Sequence, residues 1–179
     1  KNNTLDRIIT TIIYIYFLAG VVWHIIPATK EIVVPLTSFG LYGFSILLLI
    51  VERKRLSLIS ILWFFFIVVA TFFIEVFGVE TGKIFGKYNY GDILGIKLLE
   101  VPIIIALNWG FVLIGIYSFV NKVKISSGIA KMILISSLIV MFDFLLEPIA
   151  IKLNYWNWDQ GYVPIQNYIA WFLIALYFS

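Results

Sequence analysis

Asp143-Phe144-Leu145-Leu146-Glu147-Pro148 sets two carboxylates four residues apart in an otherwise apolar stretch. A charge at membrane depth is costly, so an acid held there is a functional site until a structural partner is found for it. The spacing puts both side chains on one helical face. Pro148 has no N–H to give and disfavours helical geometry at Glu147, so the helix is expected to kink or end there. The competing reading is structural: the two acids pair with Lys152 or cap a neighbouring helix.

The surroundings are those of an integral membrane protein. The chain has 179 residues, 62% hydrophobic and 13% charged, with a mean hydropathy of +1.03. A soluble domain carries about 25% charged residues. The length fits one domain, residues 1–179. There is no cysteine, which excludes disulfides, thiolate metal sites and cysteine nucleophiles. A single histidine, His24, argues against a bis-histidine haem or a histidine-rich metal centre. The net charge of +3 comes from basic residues in short loops, a topology signal rather than a nucleic-acid patch.

Six apolar segments approach the roughly 20 residues a span requires: 8–26, 33–51, 56–77, 101–120, 132–151 and one beginning at Pro164. The pattern predicts an all-α, polytopic helix bundle. The last segment stops at Ser179, short of a span, and the chain does not begin with Met, so truncation is expected at both ends. Residues 8–26 are too long for the apolar core of a signal peptide and read as a spanning helix. Lys1, Arg7, Arg53, Lys54, Arg55, Lys122, Lys124 and Lys131 fall on one side of this topology, against Lys30, Lys83, Lys87, Lys97 and Lys152 on the other. The bias puts the N terminus in the cytoplasm; a prokaryotic cytoplasmic membrane is the expected location. Glu75, Asp143 and Glu147 then lie toward the outer side, among Trp23, Trp109, Trp156, Trp158 and most tyrosines of 88–168. An interface belt explains the aromatics but not the acids inside helices.

The third and fifth segments echo one another. Glu75-Val-Phe-Gly-Val79 is similar to Glu147-Pro-Ile-Ala-Ile151, and each precedes a cluster of Asn, aromatics and Gly. Each cluster leads to Val-Pro-Ile, at 101–103 and 163–165, and each proline is followed seven residues later by tryptophan, Trp109 and Trp171. This reads as a parallel repeat of 56–120 and 132–179 about an axis along the membrane normal, with Glu75 and Glu147 equivalent. Chance matching in apolar sequence is the alternative.

At these motifs the chain resembles the CruF-type carotenoid hydratases, which include the bisanhydrobacterioruberin hydratases of archaea. The matching stretches are Phe73 to Tyr90, Gly95 to Trp109 with Val101-Pro102 and Asn108-Trp109, and Asp143 to Ala150. They continue through Tyr155-Trp156-Asn157-Trp158 and Pro164-Ile-Gln-Asn-Tyr168. Together they cover over half of the chain, and the first two helices carry none of them. The resemblance implies an integral membrane enzyme that adds water to the terminal 1,2 double bond of an acyclic carotenoid, with the carotenoid and membrane lipid as partners and other carotenoid-biosynthesis enzymes nearby. It brings no established catalytic residues.

The residues suit that chemistry. Hydrating a trisubstituted alkene needs a proton donor and then water, and calls for no redox cofactor and no metal. Protonation at the less substituted carbon leaves a tertiary cation that water attacks. Two neighbouring buried acids, Asp143 with Glu147 or Glu75 with Glu147, can split the roles of donor and ionised stabiliser. Trp109, Tyr155 and Trp156 can present π faces to the cation and line a groove for the polyene. Asn108, Gln166 and Asn167 can hold the water, although Asn108 and Asn167 also suit interhelical hydrogen bonds. Glu80, Lys83 and Lys87 read as loop charges, and Thr81-Gly82 and Gly86 as turns. Two rivals remain on the residues alone. An Mg-dependent prenyltransferase would use the Asp143–Glu147 spacing, but the arginines, at 7, 53 and 55, lie on the opposite side. A transporter or binding subunit for a lipophilic molecule would use the acids as counter-ions.

Overall fold

The computed structural model describes residues 4–53 and 57–179. Lys1, Lys54 and Arg55 of the charge pattern lie outside the described residues. The helices are α1 (Thr4–Ile25), α2 (Pro27–Val33), α3 (Thr37–Glu52), α4 (Leu58–Thr81), α5 (Ile103–Val120), α6 (Gly128–Lys152) and α7 (Ile165–Phe178). Four short strands join them: β1 (Tyr88–Tyr90), β2 (Lys97–Leu98), β3 (Val101–Pro102) and β4 (Trp156–Trp158). Among the described residues, five helical stretches are long and apolar enough to cross a membrane: Asp6–His24, Pro27–Glu52, Leu58–Thr81, Ile103–Val120 and Gly128–Lys152. The chain is an all-α polytopic bundle, and α7 is a shorter apolar helix.

Several boundaries differ from the sequence reading. Lys30 and Glu31, expected in a loop, lie in α2, and a single 3-10 turn at Val34–Leu36 around Pro35 carries the chain into α3. The apolar run of 56–77 sets Glu75 two residues from its end, yet α4 runs on to Thr81 and closes at Gly82, whose φ of 65° is the left-handed conformation glycine adopts without strain. Lys131, expected in a loop, lies in α6, which starts at Gly128 after the Ser127 side chain caps Ala130 N at 3.3 Å. Pro148 does not end α6, which continues to Lys152. Its ring has only to lose one backbone bond, and packing on both sides of it is retained: Glu147 and Ala150 are buried.

The core lies between two hairpins, α4–α5 and α6–α7. Gly110 lets α5 close on α4, since a Cβ there would stand 2.7 Å from Val68 Cγ2. The two connections 82–102 and 153–164, at the same end of the bundle, are joined by an antiparallel β1–β4 ladder with Tyr88 opposite Trp158, Asn89 opposite Asn157 and Tyr90 opposite Trp156. The alternation of this short ladder turns its four aromatic rings inward and leaves Asn89 exposed. Against the core, α1 and α3 form an outer layer with long exposed apolar faces. One link ties them to the ladder end: His24 Nε2 lies 3.1 Å from Thr37 Oγ1, which accepts from the Tyr155 hydroxyl at 3.3 Å.

Candidate functional site

Glu75, Asp143 and Glu147 are each no more than 3% exposed. Glu75 sits six residues before the end of α4, and Glu147 five before the end of α6. At 1.5 Å per residue they lie about 7.5–9 Å inside the Thr81 and Lys152 ends of these helices, beneath the ladder.

Each glutamate is held by the aromatics of one strand, and Glu75 also by Trp109 of α5. Tyr88 and Tyr90 donate their hydroxyls to Glu75 Oε2, Tyr90 at 2.8 Å. Trp156 and Trp158 donate their indole N–H groups to Glu147 Oε2, both at 3.0 Å. Residues two apart on a strand share a face, which is why Tyr88 and Tyr90 converge on one acid and Trp156 and Trp158 on the other. Asp143 accepts instead from Asn167 Nδ2 at 2.7 Å, from the first turn of α7. Among the described residues the three carboxylates form no ion pair, and Lys152 is exposed. Burial, reinforced by the Glu75 charge, holds the Tyr88 and Tyr90 phenols well above their ordinary pKa. Both therefore stay hydroxyl donors at neutral pH.

The acids face one another across the cap without bonding directly. Glu75 and Glu147 are close enough for their charges to interact, as are Asp143 and both glutamates. Trp109 and Trp171 stack with centroids 3.6 Å apart, and Phe85 stacks on Trp171 at 5.2 Å. Tyr88 leans on Trp158 at 5.0 Å. Among the described residues no three acidic or histidine side chains converge as a metal cage.

This end of the bundle is what the chain shares with other proteins. The family described as carotenoid biosynthesis protein matches residues 33–179. The chain belongs to that family. The match takes in every carboxylate and aromatic of the site and leaves out α1. A curated relative, bisanhydrobacterioruberin hydratase from Haloarcula japonica, is 27% identical over 191 residues, covering 94% of this chain and 63% of that protein. The chain thus spans less than two thirds of that relative's length. No solved structure matches.

The expected site residues divide into three groups. Glu75, Asp143, Glu147, Trp109, Trp156 and Asn167 come together beneath the cap. Tyr155 is buried nearby but spends its hydroxyl on Thr37. Asn108 is half-buried on α5, and Gln166 is exposed and donates to the Lys83 carbonyl. Tyr88, Tyr90 and Trp158, the other donors to the glutamates, and Trp171, the stacking partner of Trp109, were not among the expected site residues. Their signal is the aromatic-x-aromatic spacing at 88–90 and 156–158, a strand period that an interface belt of aromatics hides.

Proposed function

We propose that this protein is a carotenoid hydratase that adds water to the terminal 1,2 double bond of an acyclic end group by acid catalysis within the membrane. The observation that carries the reading is the buried set of three carboxylates under an aromatic cap, in a chain of a carotenoid-biosynthesis family with a hydratase relative. One acid protonates the less substituted alkene carbon. An ionised partner steadies the tertiary cation and takes the proton lost by water as the C–O bond forms. The π face of Trp156, and the face of Trp109 turned away from Trp171, suit a cation and a polyene. The shallow depth of the acids suits entry of water from the outer side while the polyene stays in lipid. The charge bias supports an outer position for the cap and a cytoplasmic N terminus.

The test is expression in cells that make lycopene or another acyclic carotenoid, followed by mass analysis of the pigments. A gain in mass equal to one water is the expected result. Unchanged pigment across several acyclic substrates, with the protein present in the membrane, would sink the reading.

A further inference from the structure

The two hairpins bury the same positions. With Glu75 set against Glu147, Ile67 falls on Ile139, Thr71 on Asp143 and Gly78 on Ala150, and every one of these is buried. With Trp109 set against Trp171, Ile105 falls on Asn167, again both buried. The strand register has the form a two-fold axis between Asn89 and Asn157 would give, since Tyr88–Trp158 and Tyr90–Trp156 are then one pair seen twice. The same axis carries Tyr88 onto Trp156 and Tyr90 onto Trp158, and each ring donates to the glutamate of its own hairpin.

Against this likeness one difference bears on proton transfer. Asp143 and Asn167 form a buried carboxyl–amide pair at 2.7 Å. Their counterparts are Thr71 and Ile105. Thr71 turns its hydroxyl back onto its own helix, to the carbonyls of Ile67 and Val68 at 2.9 and 3.2 Å. The acids also differ in what holds them. Both donors on Glu147 are indoles, which donate only, so its bonded oxygen serves as an acceptor. Glu75 has two hydroxyls on one oxygen, with Trp109 as a further donor to the carboxylate. Asp143 is held by one bond, on Oδ2, and its Oδ1 has none among the described residues. Glu147 Oε1 is equally unbonded among the described residues, so the donor count makes the difference: each glutamate takes at least two donors, which favour the ionised carboxylate, while Asp143 takes one and is the acid least committed to that form.

We propose that the hairpins are two copies of one unit and that Asp143, present only in the second, is the proton donor, with Glu147 the acceptor. The proposal rests on the hydratase reading. The Asp143 carboxyl gives its proton to the less substituted alkene carbon, and the π pair becomes the new C–H bond. A lone pair of water closes the C–O bond at the resulting tertiary cation. The proton released from that water passes to Glu147, one turn along the same helix, and returns through water to Asp143.

The experiment uses the full chain in lycopene-producing cells and reads hydrated carotenoid per unit of membrane-embedded protein. Asp143→Asn and Asp143→Thr are expected to lose about 100-fold or more, the span of a general acid. Asp143→Glu, which keeps a proton to give, is expected to retain roughly a tenth or more. Thr71→Val, the counterpart change in the first hairpin, removes only a bond within its own helix and should stay within about twofold. If Asp143→Asn does not accumulate, Asp143→Thr decides, since its hydroxyl can bond back to the helix as that of Thr71 does. Retention of more than a tenth of the product by either of these two variants overturns the proposal, as does a loss in Thr71→Val as deep as theirs. Absence of hydrated product from the unsubstituted protein would instead remove the hydratase reading itself.

Discussion

The two hairpins hold a glutamate at matching depth by different means. In α4–α5, Glu75 is gripped by hydroxyls from Tyr88 and Tyr90, groups that can donate or accept. In α6–α7, Glu147 is gripped by indoles from Trp156 and Trp158, which can only donate, and a second acid, Asp143, stands one turn below. The difference separates architecture from chemistry. A glutamate tied to a strand above it is common to both hairpins and closes the cap. The Asp143–Asn167 pair occurs in one and is free of that duty.

The comparison can be broken most sharply at the acids. Glu147→Gln is expected to cut hydration about 100-fold or more while the protein stays folded in the membrane. Full activity there and in Asp143→Asn, measured by pigment mass, would reduce both acids to structural roles. Next comes the backbone that joins the hairpins. Gly91 N donates to the Tyr155 carbonyl at 2.9 Å, and a Cβ on Gly91 would stand 2.1 Å from the Asn154 carbonyl oxygen. Gly91→Ala should therefore destabilise the protein by about 1–3 kcal/mol, as overpacking does. Thermal unfolding in detergent measures it, and an unchanged midpoint would mean that the cap yields there freely.

A smaller effect is expected from trimming the donors one at a time. Trp158→Phe and Tyr88→Phe each remove one bond to a carboxylate and leave the other, at a cost of about 1.5–3 kcal/mol in stability. If Glu147 is the acceptor, Trp158→Phe should depress hydration more than Tyr88→Phe for a similar loss of stability. Equal losses would erase the distinction between the hairpins. The ladder register can be read without activity. The chain has no cysteine, so Asn89→Cys with Asn157→Cys should cross-link under oxidation. Asn89→Cys with Asp159→Cys, two residues out of register, should not. The smallest effect belongs to Asp92, an exposed acid held below its usual pKa by the hydrogen bond and charge of Lys97 at 2.8 Å. Its lowered pKa means that the pair contributes above the ordinary aspartate range and is lost as pH falls through the folded value. Asp92→Asn should remove that acid-side dependence and leave hydration unchanged.

Much of this was legible in the sequence. Apolar runs long enough for a bilayer gave the helices, and the cost of charge in lipid singled out Glu75, Asp143 and Glu147 before any partner was known. Motif likeness pointed to the carotenoid-biosynthesis family, which the match over 33–179 bears out. Helix ends were less legible. Gly78, just past the apolar run of 56–77, is a buried packing position in α4, and Pro148 is tolerated inside α6 because the neighbouring turns stay packed. Single-residue breaker signals lose to tertiary contact in such places.

What the linear chain determined by itself was solvent and depth: lipid outside, acids near one end, no thiol chemistry. Only the tertiary structure decided which groups answer the acids. Asn167 reaches Asp143 across 24 residues, and Tyr88 lies opposite Trp158 across a ladder of three residue pairs. Hydropathy is a property of each segment alone and survives in the sequence. A hydrogen bond to a buried carboxylate depends on two segments meeting in register, and no segment records the register of the other.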